Sequence, residues 1–245
     1  MQDSLKILAI ETTGPLASIA LSGFGDICMD INETHYSHLE EIAPMAKAML
    51  EKTGCSPDEL DAIAVSRGPG SFTGIRIGMA TAKGLALVWN KPVIEVPTLA
   101  AFAFSSYADK AATAESEKIL FCPVFDARRS QIYAGAYRPF CSEPVIEDAA
   151  WDPDEFLQKL RDAAKDGSKA VFFGDAIEVY KEKFEGCGLL KEFAPESCRF
   201  QLADGVLRLA LQMYGKEGFM KDAYTAQPEY LRLAEAERKL KEKKA

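Results

Sequence analysis

The chain is short of the side chains that usually announce catalysis. It has only two histidines, His35 and His38, and its six cysteines (Cys28, Cys55, Cys122, Cys141, Cys187 and Cys198) include no CxxC pair. That scatter argues against a zinc site and reads as reduced thiols in a cytosolic protein. The two histidines sit three residues apart, with Glu33, Glu40 and Glu41 nearby. This spacing straddles a strand end and a helix start instead of lining one helical face, as a metalloprotease requires. No Ser lies between glycines in a G-x-S-x-G elbow. No Gly-Lys-Ser/Thr closes a P-loop, and no Lys is placed to reach phosphates. No apolar stretch has the length to span a membrane. Positive charge is scarce too. With 37 acidic and 29 basic residues the net charge is −8, which argues against a chain that grips nucleic acid unaided, since that affinity comes mainly from neutralising phosphates.

What remains is an ordinary globular composition, 48% hydrophobic and 27% charged, in 245 residues; that length suits one large or two small domains. Met1 to Lys6 carries no basic n-region and is expected to lead into a first strand, not a signal peptide. Leu5–Ile10, Leu16–Ser22 and Asp26–Asn32 read as three strands joined by Gly14-Pro15 and Gly23-Phe24-Gly25 turns. A helix is expected from His38 to Lys52, with Leu39, Ile42, Met45, Ala46, Met49 and Leu50 at helical spacing, Gly54 as its stop, and Pro44 tolerable only near its start or at a kink. A strand at Ala62–Ser66, a long helix ending near Trp89, a strand at Val93–Val96 and a short helix from Thr98 follow. The small, polar run from Ser105 to Ser116 reads as a linker between residues 1–105 and 106–245. The second half echoes the first: strands at Ile119–Phe125, Gln131–Tyr137 and near Pro144–Glu147, a helix capped by Asp152 and running to Ala164, a strand at Ala170–Phe173, a helix opened by Gly174-Asp175, and an amphipathic helix at Leu202–Tyr214. A meander that becomes a βαβ unit, present twice, predicts an α/β protein of duplicated, ribonuclease-H-like architecture.

The most informative stretch is Arg67-Gly68-Pro69-Gly70-Ser71-Phe72-Thr73-Gly74-Ile75-Arg76-Ile77-Gly78. A buried strand enters it, the glycines and Pro69 make a tight turn, and Ser71 is placed to cap the helix that follows. Strand, turn and helix N-terminus together can hold an anion. Within that helix Gly74, Gly78, Ala82 and Ala86 recur every four residues. Each interior Gly costs roughly 1 kcal/mol relative to Ala, so another backbone must approach closely. Ile75, Ile77, Met79, Leu85, Leu87 and Val88 carry apolar bulk around much of the remaining circumference. Two readings are open: a helix sandwiched in its own fold, or a subunit interface that Gly78→Leu would abolish while sparing the fold.

Glu11, Thr12 and Thr13 at the exit of the first strand could set a carboxylate and hydroxyls near a phosphate or hydrated Mg²⁺, with Asp126 as the matching acid of the second half across a central cleft. Equally, they could simply terminate a strand. After Asp126 there is Arg128-Arg129 in place of a Gly-rich phosphate loop, so half of a phosphoryl-transfer site is missing. The tail from Ala234 to Ala245 mixes Glu with Arg238, Lys239, Lys241, Lys243 and Lys244 and reads as a solvated helix end or disordered tail, with an RNA-contacting arm as the alternative.

Five segments occur in the order seen in bacterial TsaB (YeaZ-like) proteins: Ile7–Thr13, His38–Pro44, Arg67–Gly78, Phe125–Arg129 and Pro228–Arg232. The chain resembles that family over essentially its whole length. The resemblance implies two ribonuclease-H-like lobes of the actin/Hsp70/sugar-kinase (ASKHA) type, the last helix packing back on the first lobe. It further implies a cytoplasmic, non-catalytic, cofactor-free subunit that supports a TsaD transferase, with the ATPase TsaE, in making threonylcarbamoyladenosine in tRNA. On that resemblance the chain pairs with TsaD, or with a second copy of itself when alone, and meets tRNA only through the complex. Docking through the first two helices would use Met45, Met49, Leu50, Gly74, Gly78, Met79, Ala82 and Ala86. Glu11, Thr12, Thr13, Arg67, Ser71 and Asp126 would lie near any nucleotide. Glu11 replaces the family's usual Asp, and the paired metal-binding histidines of TsaD have no equivalent. An ATP-dependent kinase or ATPase of the same fold, or a metal-dependent glycoprotease, are the rival expectations.

Overall fold

The computed structural model describes residues 5–32, 38–111 and 116–231. His35, Arg232 and the basic tail lie outside them. The first half runs β1 (Ile7–Glu11), β2 (Ala17–Leu21), β3 (Cys28–Asn32), α1 (His38–Thr53), β4 (Ala62–Gly68), α2 (Phe72–Trp89), β5 (Val93–Pro97), α3 (Thr98–Ala101) and α4 (Ser106–Ala111). The second runs β6 (Ile119–Arg128), β7 (Gln131–Tyr137), β8 (Pro144–Trp151), α5 (Pro153–Ala163), β9 (Lys169–Phe173), α6 (Ala176–Val179), α7 (Lys181–Glu185), β10 (Leu190–Phe193), α8 (Ala203–Met213) and β11 (Met220–Lys221).

Two sheets result, ordered β11-β5-β4-β1-β2-β3 and β10-β9-β6-β7-β8. In each, an antiparallel meander (β1-β2-β3, β6-β7-β8) continues into two parallel strands (β4-β5, β9-β10). The order and directions match strand for strand, so the architecture is duplicated, as in ASKHA folds. The first sheet adds β11, antiparallel to β5.

The central strands are covered on both faces, which is why they read as unbroken apolar runs. Leu8, Ile10, Ile63 and Val65 pack under α1 and α2 with Met49, Met79 and Ala82. The alternate residues, Ile7, Ala9, Ala62 and Ala64, face a core shared with the second sheet, where Phe121, Phe125 and Phe173 meet Val206, Leu207 and Leu209 of α8. The alanines on this face leave room for α8 to sit close. Burying each of these α8 side chains contributes roughly 2 kcal/mol. The far face of the second sheet packs Leu120, Cys122 and Val124 against Phe156 and Leu160 of α5.

Three expectations need correction. The stretch from Ser105 is no linker through Ala111: it forms α4, with Tyr107 and Ala108 in the shared core and the Ser106 amide donating to Asp204 Oδ2 at 2.6 Å. Pro44 lies inside α1 on its exposed side, beyond the first turn, so of the two settings expected for it the helix start is excluded. Strand β8 continues to Trp151, whose indole Nε1 donates to the Ala134 and Glu147 carbonyls at 3.2 Å. Strands β10 and β11 have no counterpart in the sequence expectations.

Candidate functional site: the cleft and the outer face of the second helix

Ser71 caps α2 as its position predicts: its Oγ accepts from the Gly74 amide at 3.2 Å, and its own amide donates to the Thr13 carbonyl at 2.8 Å. The exit of β1 is thereby fastened to the start of α2. Thr12 Oγ1 donates to the Gly74 carbonyl at 2.8 Å. A Cβ on Gly74 would overlap the Thr12 carbonyl, and one on Gly78 would overlap Thr12 Oγ1. The close approach that the two glycines imply is therefore made by the chain's own first strand.

This settles where the eight expected interface residues stand. Gly74, Gly78, Met79, Ala82 and Ala86 on α2, and Met49 and Leu50 on α1, are buried against β1, β4 and each other. Met45 is half-buried. The small-residue ridge belongs to the core, because the first sheet already fills the space it leaves. The outward side of α2 is a different stripe: Thr73, Arg76, Ala80 and Gly84 are exposed, and Leu87 and Val88 are 53% and 79% exposed. Alongside, α1 exposes Ala43, Pro44, Lys47 and Ala48. A Cβ on Gly84 would meet nothing within 4 Å.

Of the six residues expected near a nucleotide, the fold brings three together. Thr13, Ser71 and Asp126 line a cleft of ≈ 560 Å³ between the two sheets, with Phe72, Phe125, Arg128, Tyr133, Asp175 and Phe200. Thr13 Oγ1 is buried with no hydrogen-bond partner among the described residues. Glu11 and Thr12 stand behind this wall. The Glu11 carboxylate is wholly buried and accepts from Ser66 Oγ and the Thr13 amide; burial pushes its carboxyl above the ordinary range, against the pull of those donors. Arg67 is elsewhere, paired with Glu229 at 2.7 Å.

On the second lobe, Asp126 is committed to its own turn. Its two oxygens accept from the Arg128 amide and guanidinium at 2.8 and 2.9 Å, while its amide donates to Asp175 Oδ1 at 2.9 Å. Burial raises the Asp175 carboxyl. Arg128, Arg129 and Ser130 all hold left-handed backbone, with φ of 62°, 56° and 58°, an unusual run for residues with side chains. Asp175 and Phe200 carry no local signal that would place them here; tertiary structure alone does. Among the described residues no group of three His, Cys, Asp or Glu side chains could hold a metal ion, and no helix is long and apolar enough to cross a membrane.

A family model described as TsaD: tRNA N6-adenosine threonylcarbamoyltransferase matches residues 32–240. The tRNA threonylcarbamoyladenosine biosynthesis protein TsaB of Bacillus subtilis (strain 168) is 31% identical over 237 residues, covering 96% of this chain and 97% of that protein. The chain belongs to the TsaB family. The TsaB protein of Escherichia coli (strain K12) is 29% identical over 242 residues, covering 96% of this chain and 98% of that protein. Among solved structures, YeaZ from Pseudomonas aeruginosa superposes with a TM-score of 0.74 at 26% identity, covering 92% of this chain and 99% of that one.

Proposed function

We propose that this chain is a non-catalytic, cytoplasmic subunit of the machinery that makes threonylcarbamoyladenosine in tRNA, and that it supports a TsaD-like transferase together with a TsaE-like ATPase. The reading rests on family membership and on one structural observation. The outward stripe of α2, Ala80, Gly84, Leu87 and Val88, lies open beside Pro44 and Ala48 of α1. Small residues there let a partner helix approach closely, and two exposed aliphatics supply apolar area. A helix pair from the transferase, or from a second copy when the transferase is absent, would form a four-helix contact. Residues 1–105 would form the docking lobe and 106–245 the second lobe, with tRNA met only through the complex.

The test is a calorimetric titration of a TsaD-like transferase against the wild-type chain and its Val88→Asp and Gly84→Leu variants. Both positions are open, so the fold should persist and affinity should fall at least about tenfold, a loss of about 1.4 kcal/mol. Undiminished affinity for both variants would overturn the docking face.

One observation favours a second reading, an ATP-binding kinase or ATPase of the same fold: the Thr13 hydroxyl at the cleft wall, which has no hydrogen-bond partner among the described residues. Against it, Glu11 and Asp126 are spent on the chain's own donors. Turnover of Mg·ATP by the isolated chain would favour that reading over the scaffold.

A further inference from the structure

Beyond β11 the chain runs without regular structure from Asp222 to Tyr230 along one flank of α2, in the reverse direction. Leu87 and Tyr224 border one pocket of ≈ 460 Å³. One turn back along α2, Lys83 Nζ donates to the Ala226 carbonyl at 2.8 Å. Two turns further back, Arg76 Nε donates to the Tyr230 hydroxyl at 2.9 Å. Phe72, Leu87, Val88, Tyr224 and Tyr230 make up five of the ten large hydrophobic side chains exposed among the described residues. Apolar exposure is therefore concentrated on α2 and this segment, as on an interaction surface.

Two features stand out along the flank. At one end the Arg76 guanidinium lies 3.8 Å from the centre of the Phe72 ring and 5.7 Å from that of Tyr230. Among the described residues no carboxylate pairs with it, whereas Arg67, Arg128, Arg199 and Arg208 each have one. A guanidinium ordered by stacking presents a planar fork that matches a carboxylate. At the other end is the pocket, whose apolar lining is Ala86, Leu87, Pro92, Met220, Ala223 and Tyr224. It suits one bulky apolar side chain. Arg76 and Leu87 are eleven residues apart, about 16 Å along the axis and close to three full turns, so they share one line of α2.

We propose that this flank reads its docking partner at two points: a carboxylate on Arg76 and a bulky apolar side chain in the Leu87–Tyr224 pocket. Residues eleven positions apart on a partner helix also share one face, so a single helix laid along α2 supplies both groups. The proposal rests on the docking face described above and states what must sit there. It fits a protein segment better than RNA, because a phosphate would answer Arg76 and leave the apolar pocket empty.

Calorimetric titration of the full chain with a TsaD-like transferase, at two salt concentrations, tests both points. Arg76 and Tyr224 are exposed, and circular dichroism checks that Arg76→Gln and Tyr224→Ala stay folded. Each should lower affinity at least about tenfold, and Arg76→Gln should also weaken the salt dependence. Carbodiimide treatment of the saturated Arg76→Lys complex identifies the anion. The introduced amine should join an Asp or Glu of the transferase that has a bulky apolar residue eleven positions away. A wild-type chain that does not bind the transferase sinks the docking face and the proposal together. Wild-type affinity in either Arg76→Gln or Tyr224→Ala, or no such cross-link, overturns the two-point reading and leaves the docking face standing. Loss of tRNA binding in Arg76→Gln with transferase affinity intact would assign Arg76 to a phosphate, and overturns it likewise.

Discussion

Thr12 and Gly74 hold β1 against α2: the threonine hydroxyl donates to the glycine carbonyl at 2.8 Å, and no Cβ fits between them. The contact joins positions 62 residues apart. It makes the glycine pattern of α2 a packing requirement of the monomer.

Three glycine substitutions in one helix should therefore separate cleanly. Gly74→Ala and Gly78→Ala each force β1 and α2 apart and should cost about 2–4 kcal/mol, in the range of overpacked cores and displaced backbone. Gly84→Ala meets open space and should stabilise by about 0.5–1 kcal/mol through helix propensity. Urea denaturation measures all three. Equal effects at the three sites would contradict the packing described. Gly78→Leu, which the sequence alone offers as an interface probe, should unfold the chain.

Removing the cap gives a smaller, local effect. Ser71→Ala leaves the Gly74 amide without its acceptor and should cost about 1 kcal/mol, while Ser71→Asp should recover most of it. Thermal unfolding of the pair checks the cap; a silent alanine variant would show that the Thr13 carbonyl contact alone fixes the helix start.

The carboxyl groups set a direction for pH. Glu11 and Asp148 both bind a proton more tightly in the folded chain than in the unfolded one. Their stabilising contribution is full below the ordinary carboxylate value, about 4, and is lost as pH rises through the folded value. For Asp148 that window closes at about 7. The urea midpoint should accordingly fall from mildly acidic to mildly alkaline pH, and Asp148→Asn should flatten part of the slope. A slope of the opposite sign in the wild type would show these two groups to be outweighed.

Beside the start of α2, Tyr230→Ala removes both the hydroxyl that Arg76 Nε reaches and a ring 5.1 Å from that of Phe72. The loss should be about 1 kcal/mol of global stability, with faster exchange confined to residues 222–231. Exchange that quickens throughout the first sheet would mean that residues 222–231 are part of the core.

Much of this was legible in the residues. Strands such as Gln131–Tyr137 and the run at Ile7–Glu11 announce themselves because burial on one or both faces imposes a pattern on side chains. The Ser71 cap was legible because capping is a relation between near neighbours. Strand β10 was not: Leu190–Phe193 is a short edge strand carrying Lys191 and Glu192, which breaks any apolar pattern. Helix α4 was hidden for the converse reason, since Ser105-Ser106-Tyr107-Ala108 looks like loop until the core it plugs is known. The cleft was half legible. Thr13, Ser71 and Asp126 were found from strand ends and a helix start, yet Glu11 looked available and is enclosed, and Asp175 is joined to Asp126 only through folding.

The first sheet is not finished by the first half of the chain. The Ala203 amide at the start of α8 donates to Ser18 Oγ on β2 at 3.0 Å, the α8 side chains roof Ala9 and Ala64, and β11 zips onto β5. During synthesis on a ribosome, the earliest strands must wait with one side bare until residues 203–221 have emerged. A nascent chain halted after residue 105 should therefore still attract chaperones, and only release beyond Lys221 lets that side close.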